Sequence, residues 1–238
     1  MNDDRSDHSI QSYVRVGGVL YLYIIFAGIF AQVFVRSQLI VKGDAAATAA
    51  NIVASEVLFR VGFAAEILML ISDVALAAIF FILLKSVNFR LALLAAFLRV
   101  AMAAISGVNS LNHMDVLLWL NDTIAIESFG LGGVQAMAYH SLRAHAFGYH
   151  VALVFFGFNC VLLGALILRS GFLPKALGGL MGVAGLCYLL SSFGNILAVD
   201  VVLSLGPAIL FPALVAELSL ASWMLVKGIS VQKWLAHQ

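Results

Sequence analysis

The sequence predicts an all-α, polytopic membrane protein, a bundle of six transmembrane helices with both termini in the cytoplasm. Three observations lead to this fold class. Only 11% of the 238 residues are charged, whereas an ordinary soluble domain has roughly 25%. Apolar residues make up 63% of the chain, and the mean hydropathy is +1.06. They are grouped in long runs, and a membrane-spanning helix needs about 20 such residues.

This composition also excludes several classes of protein. The chain has too few polar side chains to cover the surface of a water-soluble globule, so a soluble enzyme is excluded. The high apolar content excludes a disordered chain. A net charge of +1 provides no field that would attract a phosphate backbone, so we expect no nucleic-acid partner.

The six predicted spans follow directly from the apolar runs. They cover residues 16–35, 57–84, 89–119, 145–168, 173–199 and 205–226. The second and third runs are longer than a bilayer requires, so we expect these helices to tilt or to extend beyond it. The first run lacks the basic start and the small-residue cleavage site of a signal peptide, so we expect it to be retained.

The distribution of basic residues predicts the orientation. With the N-terminus inside, eight Lys and Arg residues fall on the cytoplasmic side and four outside, which agrees with the positive-inside rule. Residues 1–15 then form a cytoplasmic tail, residues 16–228 the six-helix domain, and residues 229–238 a second cytoplasmic tail. The eight cytoplasmic residues are Arg5, Arg15, Lys85, Arg90, Arg169, Lys175, Lys227 and Lys233.

Two external connections contain further signals. Asp44 is a good N-cap for the Ala-rich segment that follows it, which predicts a short helix. The longest connection, residues 120–144, contains three glycines and then a helical-looking run from Gln135 to Ala144. It is interpreted either as a lid over the outer face or as a plain connector.

Two of the later spans contain helix-modifying residues. Gly178 and Gly182 are four residues apart in the fifth span, a spacing that lets helix backbones pack closely. Pro207 and Pro212 should kink or loosen the outer half of the sixth span.

Four ionisable residues fall well within the predicted spans: Glu66, Asp73, Arg99 and Glu217. A charge at the centre of a membrane helix costs roughly 2.5–3.5 kcal/mol, so these side chains should face the bundle and find partners. The second and third helices form a tight hairpin, which places Asp73 opposite the region of Arg99 and predicts an ion pair. Glu217 lies at a similar depth and is a candidate second partner of Arg99.

A second polar group is predicted nearer the outer surface. Hairpin geometry places Glu66 opposite Asn109, with Asn112 and His113 one turn further out. His150 lies at the outer end of the fourth span. Together these residues suggest a polar pocket that opens outward, with Asp73, Arg99 and Glu217 as its charged floor.

Less specific interpretations compete with this pocket. A buried ion pair can serve only to fix helix register, and intramembrane Asn side chains often join helices by hydrogen bonds. His145 is interpreted as a solvated residue at the membrane boundary. The His and carboxylate residues could supply metal ligands, but no HExxH pair is present. We therefore predict neither a metal nor another cofactor.

Several blocks of the chain resemble a family of bacterial six-helix membrane proteins defined as domain of unknown function 4386. The blocks are residues 15–84, LNHM at 111–114, YHVALVFFGFNCVLLGALILRSGFLPKALGGLMGVAGLCYLL at 149–190 and FPALVAELSLASWMLVKG at 211–228. The resemblance implies a six-helix bacterial membrane protein, and we expect it to lie in the inner membrane as a multi-pass protein. It implies no activity, substrate or catalytic residue.

Three functional hypotheses remain open at this point. The leading one is a membrane-embedded protein that binds or transports a small molecule or ion through the outward-facing pocket. The second is an intramembrane enzyme that uses the His and carboxylate residues. The third is a structural subunit that docks onto a partner through its Gly-rich helix faces. The lipid bilayer is the expected partner in all three, and the oligomeric state is left open.

Overall fold

Every regular element is helical between residues 2 and 237, the part of the chain that the computed structural model describes; side chains are described from Ile10 onward. The first long helix, α1 (Asn2–Ile29), continues through a π-helical segment (Phe30–Arg36) into α2 (Ser37–Leu39). The other helices are α3 (Ala45–Ala54), α4 (Glu56–Leu84), α5 (Phe89–Asn121), α6 (Thr123–Ser170), α7 (Lys175–Ile196), α8 (Asp200–Leu205), α9 (Phe211–Val226) and α10 (Val231–Leu235).

Six helical stretches are long and apolar enough to cross a membrane, which confirms the predicted fold class. They are Ile10–Leu39, Glu56–Leu84, Phe89–Asn121, Thr123–Ser170, Lys175–Ile196 and Asp200–Val226. Large apolar side chains on these helices are exposed, including Ile71, Phe97 and Leu111, each of which is more than 60% exposed. Such helix faces are suited to hydrocarbon, so the chain is a multi-pass membrane protein in contact with lipid.

The prediction of a long connection over residues 120–144 was wrong, because this segment is helical. Asp122 begins it by accepting hydrogen bonds from the backbone N–H groups of Ile124 and Ala125, at 2.9 and 3.1 Å. Gly130 alone leaves the helical conformation, with φ 72° and ψ 160°, a region that favours glycine. The helix therefore resumes at Leu131, 14 residues before His145, the predicted start of the fourth span.

The short helix predicted after Asp44 is confirmed. It spans Ala45–Ala54, and the side chain of Asp44 accepts a hydrogen bond from the backbone N–H of Ala47 at 2.8 Å. This bond satisfies one of the N–H groups that the first turn of a helix leaves without an internal partner.

The chain divides into two compact units. The first unit contains the described residues of Met1–Ile25, Ile71–Ala103 and His150–Gln238. In it, α6 and α7 approach closely where a Cβ on Gly178 would stand 2.8 Å from the carbonyl oxygen of Gly164. This confirms the predicted tight packing at Gly178. The predicted loosening of the sixth span is also present, as a 3₁₀ turn at Gly206–Leu210 between α8 and α9.

The second unit contains Phe26–Leu70 and Ala104–Tyr149. Its apolar core brings together side chains of the first span, α3, α4, α5 and α6. The fully buried members include Val35, Ile52, Phe59 and Val116, and Leu142 of α6 packs with them. This core fixes the faces of α4, α5 and α6 that carry the polar residues described next.

Candidate functional site

A buried polar cluster lies in the second unit and contains Arg36, Glu66, Asn109, His113 and His145. Glu66 and His145 are 6% exposed, Asn109 is 7% exposed and His113 is 1% exposed. Asn109 and His113 are four residues apart on α5, so they share one helical face. We call this group the Glu66 cluster.

Local backbone features bring these side chains together. Arg36 is the last residue of the π-helical segment, a geometry often found at functional sites because it changes the direction of the side chains that follow. On α6, Gly148 leaves room for Asn109, since a Cβ on Gly148 would collide with Oδ1 of Asn109. The absent side chain thus allows Asn109 Nδ2 to donate to the carbonyl oxygen of His145 at 2.8 Å.

Arg36 links two members of the cluster. Its Nη1 donates to Oε1 of Glu66 and lies 3.3 Å from Nε2 of His145. A second hydrogen bond fixes the guanidinium, because Arg36 Nε donates to Oε1 of Gln32 at 3.0 Å. The negative charge of Glu66 is therefore balanced by a cation within the second unit.

These contacts determine the tautomer of His145. Arginine can only donate, so its approach to Nε2 of His145 assigns the lone pair to that nitrogen. The proton of a neutral ring then lies on Nδ1, which is 3.2 Å from the backbone carbonyl oxygen of Asn109 and donates to it. His145 thus directs an acceptor nitrogen into the cluster.

Several polar atoms of the cluster have no hydrogen-bond partner within normal geometry among the described residues. They are Oε2 of Glu66 and both ring nitrogens of His113. The nearest approach joins Glu66 Oε2 to His113 Nδ1 at 3.7 Å, too far for a hydrogen bond. Leaving a buried polar group without a partner costs about 1–3 kcal/mol, so these atoms point to a ligand or to bound water.

The Glu66 cluster also has the chemistry of a metal-binding site. One ligand atom from each of Glu66, His113 and His145 can be chosen so that all three lie within 4.8 Å of one another. A carboxylate and two imidazoles are ligands that first-row transition metals accept.

A second charged group lies in the first unit, where the predicted ion pair of Asp73 and Arg99 is confirmed. Arg99 Nη2 is 2.6 Å from Asp73 Oδ1, and Arg99 Nε donates to the same oxygen at 2.9 Å. Two aromatic rings enclose the guanidinium, with its carbon 5.2 Å from the ring centroid of Tyr21 and 5.1 Å from that of Phe156. Arg99 is 0% exposed, so the pair is desolvated and supported by cation–π contacts.

A small cavity of about 10 Å³ borders Arg99 and Asn159 in the same unit. Asn159 Nδ2 donates to the backbone carbonyl oxygen of Ala95 at 2.8 Å, the interhelical role that the sequence suggested. Arg99 Nη1 and Asn159 Oδ1 have no hydrogen-bond partner in the part of the chain that is described. The volume is close to the minimum for one water molecule, which would satisfy both atoms.

Glu217 is not the second ion-pair partner of Arg99 that the sequence suggested. Its Oε1 accepts a hydrogen bond from the Tyr188 hydroxyl at 2.6 Å, and no salt bridge to Arg99 within 4.0 Å is found among the described residues. Position along the membrane normal, which the sequence can estimate, does not determine the direction in which a side chain leaves its helix.

The eight residues predicted for the site fall into two sets. Glu66, Asn109, Asn112 and His113 all belong to the second unit, where Asn112 Nδ2 donates to Asn109 Oδ1 at 3.1 Å. The other four, Asp73, Arg99, His150 and Glu217, belong to the first unit. His150 is half-buried there.

Sequence reasoning missed two residues of the Glu66 cluster, Arg36 and His145. The interpretation of His145 as a solvated boundary residue was wrong, because its side chain is buried against Asn109. A signal was available: Ser141, His145 and Gly148 lie at helical spacing and form a small, polar face. Treating residues 120–144 as a connection concealed that face. Arg36 was counted only as an external charge.

The sequence was also compared with known proteins. A family model described as Domain of unknown function (DUF4386) matches residues 16–228. The chain belongs to this family. No curated protein and no solved structure matches it. Membership in DUF4386 confirms the resemblance found in the sequence, and the function must be argued from the polar clusters themselves.

Proposed function

We propose that this DUF4386 protein binds a small ion or polar molecule inside the membrane at the Glu66 cluster. A role in transporting that ligand is part of the proposal. The observation that carries it is the set of buried atoms without hydrogen-bond partners, Glu66 Oε2 and both ring nitrogens of His113. In hydrocarbon such atoms are rarely tolerated unless they serve a function.

The arrangement of charge supports ligand binding over a purely structural role. A structural ion pair in a membrane gains most when its charged groups contact each other closely, and Arg99 approaches Oδ1 of Asp73 through both Nε and Nη2. In the Glu66 cluster only one carboxylate oxygen is used by Arg36, and His113 is left with neither nitrogen hydrogen-bonded. The cluster therefore keeps buried acceptor atoms that a ligand could use.

The location proposed for the site is the inner membrane of a bacterium, with both termini in the cytoplasm. The excess of Lys and Arg on one side of the spans supports this orientation. In that orientation the Glu66 cluster faces the outer half of the bilayer. We further propose a coupling role for Asp73, Arg99 and Glu217 of the first unit, where an acid would carry a proton.

Thermal unfolding of the purified protein in lipid nanodiscs tests the binding proposal. The probes are NaCl, KCl, MgCl₂, ZnCl₂, sodium phosphate and sodium glutamate, each titrated against wild type and Glu66→Gln. At least one probe should raise the Tm of wild type and have less effect on Glu66→Gln, because a bound ligand stabilises the folded state. The matched control is Glu56→Gln, since Glu56 pairs with Arg60 on an exposed face of the same helix.

If no probe shifts the Tm of wild type more than that of Glu66→Gln, the binding proposal is wrong. The structural-subunit hypothesis would then gain support, since it predicts that only water fills the cluster. If a probe binds, its passage across proteoliposomes tests transport, with Glu66→Gln as the variant expected to abolish the flux.

A further inference from the structure

We propose that Glu66, His113 and His145 hold a divalent transition-metal ion such as Zn²⁺, with Arg36 as the internal cation that the metal displaces. This inference rests on the proposed function, because it assigns the ligand of the same cluster. Two independent observations support it: the convergence of three donor groups within 4.8 Å, and the absence of hydrogen bonds to the buried His113 nitrogens and Glu66 Oε2.

One donor separation in the cluster suits a shared ion. Oxygen and nitrogen ligands lie about 2.0–2.2 Å from Zn²⁺. Two donors at that distance, separated by an angle of about 110–130°, are roughly 3.4–3.8 Å apart. Glu66 Oε2 and His113 Nδ1 are 3.7 Å apart, a separation that a bridging ion would explain and a hydrogen bond does not.

His145 is oriented as a metal ligand would be. Its Nδ1 donates to the backbone carbonyl of Asn109, which fixes the ring and leaves the Nε2 lone pair directed into the cluster. Metal-binding histidines nearly always donate their second nitrogen to a carbonyl or carboxylate in this way. Asn109 Nδ2 also donates to the backbone carbonyl oxygen of His145, so two hydrogen bonds join Asn109 to α6.

The mixture of ligands selects the class of metal. Two imidazoles and one carboxylate suit Zn²⁺, Fe²⁺ and related ions, whereas Ca²⁺ and Mg²⁺ require mainly oxygen ligands. Three protein ligands leave a fourth position for water or for a substrate group. Because the ligands come from α4, α5 and α6, the sequence contains no short metal-binding motif, and the site becomes visible only when these helices are packed.

Arg36 is the feature that distinguishes this site from a simple metal site. Its guanidinium donates to Oε1 of Glu66 and lies 3.3 Å from Nε2 of His145, so it blocks the lone pair that His145 would offer to a metal. The side chain is 16% exposed and already bonded to Gln32, which gives it an alternative position when it leaves Glu66. Coordination by Nε2 of His145 and the approach of Arg36 to that nitrogen therefore exclude each other, so Arg36 should lower the affinity for the metal.

The experiment measures Co²⁺ and Zn²⁺ binding to the full chain, free of any His-tag and stripped of metal, in lipid nanodiscs. Co²⁺ reports coordination through its visible absorption bands, and Zn²⁺ should displace it at one ion per chain. Glu66→Gln, His113→Ala and His145→Ala should each weaken binding at least tenfold. Arg36→Gln should strengthen it at least tenfold, because the competing cation is removed.

Matched controls lie on exposed faces of the same unit. Arg60→Gln and Glu56→Gln remove an exposed ion pair, and His140→Ala removes an exposed histidine. All three should bind Co²⁺ as wild type does. Size-exclusion profiles and helical circular dichroism identify any variant that fails to fold, and Arg36→Gln, whose predicted change is a gain, cannot be imitated by misfolding.

Three outcomes would overturn the metal assignment. The first is that Co²⁺ does not bind to wild type. The second is that Co²⁺ binding is unchanged in both His113→Ala and His145→Ala. The third is that Arg36→Gln weakens Co²⁺ binding. If Zn²⁺ and Co²⁺ fail while another probe of the thermal panel stabilises wild type and not Glu66→Gln, the metal assignment fails and the proposed binding function stands. If no probe acts through Glu66, both fail.

Discussion

Arg99 and Asp73 form a buried ion pair, in which Nη2 of Arg99 lies 2.6 Å from Oδ1 of Asp73. Arg99 is 0% exposed and Asp73 is 2% exposed. The pair lies between the rings of Tyr21 and Phe156. Each charge is tolerated because the other is present, so the two residues should depend on each other far more than on the rest of the chain.

The first prediction concerns this dependence. Asp73→Asn and Arg99→Met should each lower the free energy of unfolding by about 3–5 kcal/mol, because each leaves one uncompensated buried charge. The double variant should lose less than either single variant, since it leaves no buried charge without a partner. Unfolding by SDS titration in detergent micelles measures all three. Glu56→Gln, on an exposed face, should change stability by less than about 0.5 kcal/mol.

The same double variant tests the proposed coupling role of this pair. If Asp73→Asn/Arg99→Met is folded and retains every ligand and flux signal of wild type, the pair only fixes helix packing and the coupling role is wrong. Loss of flux with intact ligand binding would support a coupling role.

The Asp73–Arg99 pair was predictable for a specific physical reason. The two residues lie on helices joined by a tight turn, so counting residues from the turn places them at the same depth, and two opposite charges in hydrocarbon must meet. The Tyr21 and Phe156 rings were not predictable. The chain has 17 Phe, 6 Tyr and 3 Trp, and no pattern distinguishes the two that enclose Arg99.

The Glu66 cluster was predicted only in part, because its members come from helices that are distant in the sequence. Turn geometry identified Asn109 and His113 as neighbours of Glu66. Arg36 and His145 depend on a π-helical segment and on a helix that begins near Gly130 instead of His145. Three glycines close together suggested a loop, but only Gly130 needs a conformation that other residues avoid.

The second prediction concerns Gly148, the residue that lets Asn109 approach α6. Gly148→Ala should lower the free energy of unfolding by about 1–3 kcal/mol, because the added methyl group forces Asn109 away from His145. The control is Gly132→Ala on the same helix, where a Cβ meets nothing within 4 Å. That variant should be neutral or stabilising by up to about 1 kcal/mol. Equal effects at both positions would contradict the packing described for Asn109.

Gly148→Ala also connects packing to ligand binding. If the Asn109 carbonyl orients His145, the variant should weaken Co²⁺ binding about 10–100-fold, as changes in residues that support metal ligands generally do. Gly132→Ala should leave Co²⁺ binding unchanged. A destabilised Gly148→Ala protein that still binds Co²⁺ with the affinity of wild type would show that Asn109 does not orient the ligand.

The third prediction concerns the close contact of α6 and α7. A Cβ on Gly178 would stand 2.8 Å from both the carbonyl oxygen of Gly164 and the backbone nitrogen of Leu168, and backbone cannot move aside as a side chain can. Gly178→Ala should therefore lower the free energy of unfolding by about 1–3 kcal/mol. Its neighbour Gly179 faces open space, so Gly179→Ala is the matched control. A neutral Gly178→Ala would mean that the two helices are further apart in the membrane.

The fourth prediction concerns Glu217, whose Oε1 accepts a hydrogen bond from the Tyr188 hydroxyl at 2.6 Å. Tyr188→Phe should lower the free energy of unfolding by about 1–3 kcal/mol, because it removes a hydrogen bond to a side chain that is 5% exposed. Glu217→Gln keeps an amide oxygen that can accept the same bond, so it should be the milder change. SDS titration of the two variants ranks them. If Glu217→Gln proves the more damaging, then the charge of Glu217, and not its bond to Tyr188, stabilises this part of the first unit.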